Sequence, residues 1–242
     1  MNESAIAAGS GSKESRTIAR EITVATTAGT PLAHTIVDTM MRIDLPQPLR
    51  PGQSVEFTVE FAFNIVEEAA VGARSGYERF AKSDTYQYFM AQWFPRLAAY
   101  TDYTGWQHKQ YLGTGEFTLE FGDYDVSLTV PADHILTATG ELQNAAEVLT
   151  SEQRARLARA ETAPAPLFIV TPDEARAAEK TRATGVKTWR FQAGNVRDFA
   201  FATSRRFIWD AQGAKGHTHR GRPVLAMSLY PKEGMPLWDK YS

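Results

Sequence analysis

The chain has 242 residues, 43% hydrophobic and 22% charged, with 26 basic and 28 acidic side chains and a net charge of −2. That length and composition support a sizeable globular core, and the near balance of charge argues against a nucleic-acid track or an anionic membrane surface as partner. There is no cysteine, which excludes disulfides, thiolate nucleophiles and thiolate-bound zinc.

Met1 to Ser15 is rich in Ser, Gly and Ala and lacks a basic start followed by an apolar run. It is therefore not read as a signal peptide, and residues 1–17 are expected to be disordered. No stretch approaches the length of a membrane span. The compartment stays open, since these features are compatible with an exported or membrane-associated protein.

From there the chain reads mostly as strands. Thr17 to Thr26 alternates weakly through Ile18, Ile22 and Val24. Ser54 to Ile65 alternates clearly, with Val55, Phe57, Val59, Phe61 and Phe63 on one face and Glu56, Thr58 and Glu60 on the other. A period of two predicts a strand with one buried face. Pro48, Pro51 and Gly52 mark the turn before it. Further strands are expected at Glu116 to Phe121, Tyr124 to Val130 and His134 to Thr139, with Gly122-Asp123 as a hairpin turn between the first two. Later candidates are Leu167 to Val170, Val186 to Phe191, Arg197 to Ala202 and Val224 to Tyr230, all rich in aromatic and β-branched residues.

Two segments carry helix-start signals. Thr150-Ser151-Glu152-Gln153 reads as a capping box, with a helix to about Ala160. Thr171-Pro172-Asp173-Glu174 offers a capping Thr, Pro at the first helical position and early acids, with Gly185 as the expected stop. The expected fold is thus mainly β, an antiparallel sheet or β-sandwich over residues 18–230, with a two-helix insertion at about 145–184. In the last segment, 231–242, Lys232 to Pro236 reads as a turn, and Leu237, Trp238 and Tyr241 sit at helical spacing.

The search for chemistry returns little. There is no His-Glu-x-x-His, no Gly-x-Ser-x-Gly elbow, no phosphate loop and no dinucleotide fingerprint. Of the five histidines only His217 and His219 are close, and Gly213 to Gly221 reads as a Gly- and Lys-rich exposed loop without a third ligand. Glu67-Glu68, Asp102, Asp123 and Asp125 read as solvated turn residues, and Arg205-Arg206 with Arg154, Arg156 and Arg159 as solvated faces. Aromatics crowd one stretch: Tyr86, Tyr88, Phe89, Trp93, Phe94, Tyr100, Tyr103, Trp106 and Tyr111. Packing accounts for them most simply, and a ligand-stacking groove of the kind found in sugar-binding modules is the alternative.

An ordered set of short motifs points to a family. Ala91-Gln92-Trp93-Phe94-Pro95-Arg96, Gly105-Trp106, Gly115-Glu116-Phe117, Gly122-Asp123-Tyr124-Asp125-Val126, Thr129-Val130-Pro131 and Ala138-Thr139-Gly140 follow one another. Together they resemble the N-terminal β-domain of the aminopeptidase N family of zinc metallopeptidases. Asn195 to Ala202 resembles that domain's closing strand, and Leu229 to Glu233 with Trp238 the approach to the catalytic domain. Asp38 to Ile43 and Leu49 to Gly52 fit an earlier strand pair. The resemblance runs from about Ile18 to Ser242.

The resemblance implies a saddle-shaped sheet domain that precedes a thermolysin-like domain holding the zinc ligands and the general base. On that view this chain starts late, ends before those residues, binds no metal itself, and residues 231–242 begin the passage into the catalytic domain. Zinc belongs to the parent protein, and the partner is a peptide substrate. The family's β-domain lends a Gln or Glu to the pocket for the substrate's free amine. Gln92 matches that position, with Gln87 as competitor. A neutral amide oxygen accepts a hydrogen bond from an ammonium without the desolvation cost of a second full charge. Two other functions stay open: a stand-alone β-sandwich binding module, and part of a peptidase-like protein that has lost its zinc site.

Overall fold

The computed structural model describes residues 2–5, 21–71, 75–109, 118–219 and 221–240. The described chain is mainly β, with antiparallel sheets and a few short helices. It divides into two compact units, one formed by Met1–Tyr77, Phe89–Gly122 and Asn195–Ala200, the other by Glu78–Tyr88, Asp123–Gly194 and Phe201–Ser242.

In the first unit, Glu21–Thr26 pairs antiparallel with Phe57–Ala62, setting Val24 opposite Val59. Phe57, Val59 and Phe61 face inward and Thr58 and Glu60 outward, as a period of two requires. A second sheet orders His34–Val37, Met40–Ile43, Asn2–Ala5 and Arg96–Leu97. Asp38, with φ 52, makes the tight turn between the first two strands, a backbone region that Asp tolerates better than most residues. Val24, Leu32, Met41 and Ile43 form the core, with Ile22, Leu45, Phe57 and Val59 packed on it.

Three further sheets are built mostly from residues of the second unit. Gly122–Pro131, Val186–Val196 and Glu141–Leu142 form one, in that order. Ile135–Ala138, Phe201–Ser204, Thr85–Met90 and Gly76–Phe80 form another, and Leu167–Val170, Ile208–His219 and Arg222–Tyr230 the third. Trp189, Phe207, Ile208, Ile169 and Tyr230 are buried, so the apolar runs in the sequence are the core.

Both anticipated helices are present. Ser151–Ala160 starts on Thr150 and Pro172–Glu179 on Thr171, each with a complete capping box. The second helix ends at Glu179, well before Gly185. Just past its end, Arg182 donates to the carbonyl oxygens of Glu179, the last helical residue, and of Thr181, both at 2.9 Å. A cationic side chain satisfies terminal carbonyls as well as a glycine cap does.

Four local expectations are corrected. Gly122-Asp123 makes no hairpin turn, because both residues lie inside the extended strand Gly122–Pro131. Arg197 to Ala200 is a connection, the strand resuming at Phe201. The stretch from Gly213 is a continuation of strand Ile208–His219, paired with Arg222–Tyr230. Its glycines serve an irregular register between Gly213 and Thr218, and Gly216 takes φ 74. Asn2–Ala5 is paired strand, while the remainder of the 1–17 segment lies outside the described residues. Also outside them are Thr17 to Arg20, Glu116-Phe117 at the start of the Glu116 to Phe121 candidate, and Tyr111. Within 118–121 there is only a bridge from Leu119 to Ala98.

Candidate functional site

Gln92 sits at the bend between strands Thr85–Met90 and Arg96–Leu97. Its φ of 54 is left-handed, a conformation a non-glycine residue keeps only where its neighbours hold it. The neighbours are well fixed. On the near side, the Ala91 amide donates to Ser75 Oγ at 2.7 Å, and the Ser75 hydroxyl returns a bond to the Ala91 carbonyl. On the far side, Trp93 Nε1 donates to the Phe199 carbonyl at 3.1 Å, and Phe199 is fully buried. Arg96 is buried and meets Asp198 Oδ1 at 2.6 Å, and that same oxygen accepts the Phe199 amide at 2.7 Å. The Arg96 guanidinium also lies 5.5 Å from the Phe94 ring centre. Between these anchors the Gln92 side chain is half-buried and makes no hydrogen bond among the described residues.

Gln87 is differently placed. It is 4% exposed on strand Thr85–Met90, and its Nε2 donates to Glu78 Oε2 at 2.6 Å. A carboxylate only accepts, so Glu78 fixes the amide with Oε1 turned away. That oxygen is shielded from solvent and has no partner. Gln92 is thus half-buried with an uncommitted amide among the described residues, whereas Gln87 is buried and committed to Glu78.

The residues near Gln92 were legible as parts of two motifs, but the pairing of Arg96 with Asp198 was not, because the partners are far apart in the chain. Arg205-Arg206 is corrected from a solvated face to an interior one. Arg206 is 0% exposed and reaches Glu233, Glu179, Thr85 and the face of Phe80. Its flanking run Phe207-Ile208-Trp209 was the available signal. Arg156 is half-buried and bonds Glu174 and the Ile169 carbonyl. His217 is exposed, and no group of three His, Cys, Asp or Glu side chains comes together among the described residues. Among the aromatics, Tyr100 is 60% and Tyr103 82% exposed, with Tyr100 edge-on to Trp106 at 5.2 Å, while the others described are more enclosed.

No family model and no curated protein sequence matches the chain. Among solved structures it is similar to an M1 zinc metallopeptidase from Deinococcus radiodurans, at 13% identity and a TM-score of 0.44. A mutant of M1 zinc metallopeptidase from the same organism, bound to a Tyr-Ser-Ala substrate, gives 13% identity and a TM-score of 0.45. In each case 95% of this chain is covered, and it spans 39% of the other chain's length. No helix among the described residues is long and apolar enough to cross a membrane.

Proposed function

We propose that this chain is the substrate-anchoring and scaffold part of a zinc-dependent peptidase that acts from the N-terminus of peptides, with Gln92 accepting a hydrogen bond from the substrate's α-ammonium. The observation that carries this reading is the state of Gln92: left-handed, held on both sides, half-buried, and with its side chain unpartnered among the described residues. The ordered motifs from Ala91 to Gly140 support the peptidase assignment. In this reading the zinc and the hydrolytic step belong to the parent protein. The segment from Pro231 onward then leads toward that catalytic part.

The test uses the full-length parent. An ammonium-to-amide bond exists in ground state and transition state alike, so its loss acts mainly on KM. Gln92→Ala should cost roughly 10- to 150-fold in kcat/KM on free-amine peptides, for a bond to a charged group worth about 1.5–3 kcal/mol. Amine-blocked peptides should be indifferent. Gln87→Ala is the control. If it alone produces the selective loss, the anchor is Gln87; if neither does, the chain is scaffold only.

The exposed Tyr100 and Tyr103 favour a second reading, a stand-alone module that stacks a flat ligand such as a sugar ring. Saturable oligosaccharide binding that Tyr103→Ala abolishes would favour it over the peptidase reading.

A further inference from the structure

Ser75 stands just ahead of strand Gly76–Phe80, the neighbour of Thr85–Met90 in its sheet. Gly76 fixes where it stands. Its φ is 150, and a Cβ there would come 2.6 Å from the Val66 carbonyl oxygen, so the backbone approaches Val66 as only glycine permits. Tyr77 closes that approach by donating its amide to the same carbonyl at 2.8 Å.

The half-buried Ser75 hydroxyl then serves both polar backbone groups of one residue. It accepts the Ala91 amide at 2.7 Å and donates to the Ala91 carbonyl. One proton and two lone pairs let a single hydroxyl do both. The side chain thus does what a paired strand would do, one residue past the point where Thr85–Met90 ends. The consequence falls on Gln92. The Ala91 carbonyl belongs to the rigid peptide plane that leads into Gln92, and the φ of Gln92 turns about the bond that leaves this plane. A glutamine left to itself prefers negative φ, and that rotation swings its Cβ, and the amide beyond it, to another direction. Water can satisfy the Ala91 groups in place of the hydroxyl, but it leaves the plane free to turn.

We propose that Ser75 is a positioning residue for the amine anchor: its hydroxyl holds Gln92 in the left-handed conformation that presents the amide to the substrate's α-ammonium. This rests on Gln92 as the anchor proposed above. With the hydroxyl in place the competent conformation is preset; without it only a fraction of molecules holds it, and apparent affinity falls by that fraction.

The test compares Ser75→Ala, Ser75→Thr, Gln92→Ala and the Ser75→Ala/Gln92→Ala double variant in the full-length parent, on free-amine and amine-blocked peptides. Ser75→Ala should raise KM for free-amine peptides roughly 5- to 30-fold at nearly unchanged kcat, the loss expected when a left-handed residue is freed to relax. Ser75→Thr keeps the hydroxyl and should keep KM. In the Gln92→Ala background, Ser75→Ala should add no further loss, because no amide remains to be positioned. If Ser75→Ala does not fold, Ser75→Cys, with a weak donor in place of the hydroxyl, is read in the same way. A selective loss in Gln92→Ala with none in Ser75→Ala overturns the role of Ser75 and leaves the anchor standing. An equal loss on both peptide classes in Ser75→Ala overturns it as well, as general damage. No selective loss in Gln92→Ala removes the anchor itself, and the role of Ser75 with it.

Discussion

His134 is 4% exposed, and its Nδ1 lies 3.2 Å from Thr203 Oγ1. The Thr203 hydroxyl donates to the Ile135 carbonyl at 3.1 Å, which assigns the imidazole proton to Nδ1. Burial, then the nearby Arg205 charge, lowers its pKa to about 4, with Asp133 opposing and Lys187 adding to the effect. The folded form therefore holds a neutral ring where the unfolded chain titrates near 6.5. A depressed base contributes its full stability above the unfolded pKa and loses it as pH falls from about 6.5 to about 4. The span corresponds to about 3 kcal/mol. Denaturant titrations of the wild type and His134→Gln at pH 7 and pH 4 should show their stability difference moving by that order in the variant's favour on acidification. A difference that stays constant would show that His134 does not titrate in this way. None of this was legible in the sequence, where His134 is one lone histidine at the start of an expected strand. The same holds for Gln92. Its motif marked the position, but its free amide became visible only beside Trp93, Arg96 and Asp198, whose partners come from a remote stretch.

At the scale of elements, what could be read was what is local. Capping boxes are decided within four residues, so Thr150-Gln153 and Thr171-Glu174 named both helix starts. Strands with one buried face declare themselves by alternation, as Phe57–Ala62 does. The failures depended on distant partners: Gly213 onward becomes strand because Arg222–Tyr230 pairs with it, and the second helix stops where Arg182 reaches back. The two boxes are not equivalent, which gives a prediction. Glu174 closes its box through the Thr171 amide at 2.7 Å and also takes Arg156 Nη1 at 2.7 Å, tying Pro172–Glu179 to Ser151–Ala160. Thr150→Ala and Thr171→Ala should each cost about 1 kcal/mol. Arg156 and Glu174 are partly exposed, so a double-mutant cycle to Ala should return a coupling of no more than about 1 kcal/mol. Chemical denaturation of the four proteins measures it, and zero coupling would mean that the bridge ties nothing.

For the whole molecule the decisive matter is which chemistry its side chains can reach. Water attacks a peptide bond at useful rates only when a metal or a strong base activates it, or when a side-chain nucleophile replaces it. Cysteine is absent, and the described histidines are otherwise engaged or isolated. His34 and His108 each hold a backbone carbonyl two residues back through Nδ1, at 3.2 and 2.8 Å. His134 is spent on Thr203, and His217 stands exposed on a hairpin strand, where no group of three ligands comes together among the described residues. On the scaffold reading proposed above, the purified chain is expected to carry substoichiometric zinc and to leave amino-acid anilides intact. Elemental analysis of tag-free protein and an anilide assay with and without chelator measure both. One tightly held zinc per chain, together with turnover that disappears on chelation, would make this chain a complete enzyme and end the scaffold reading.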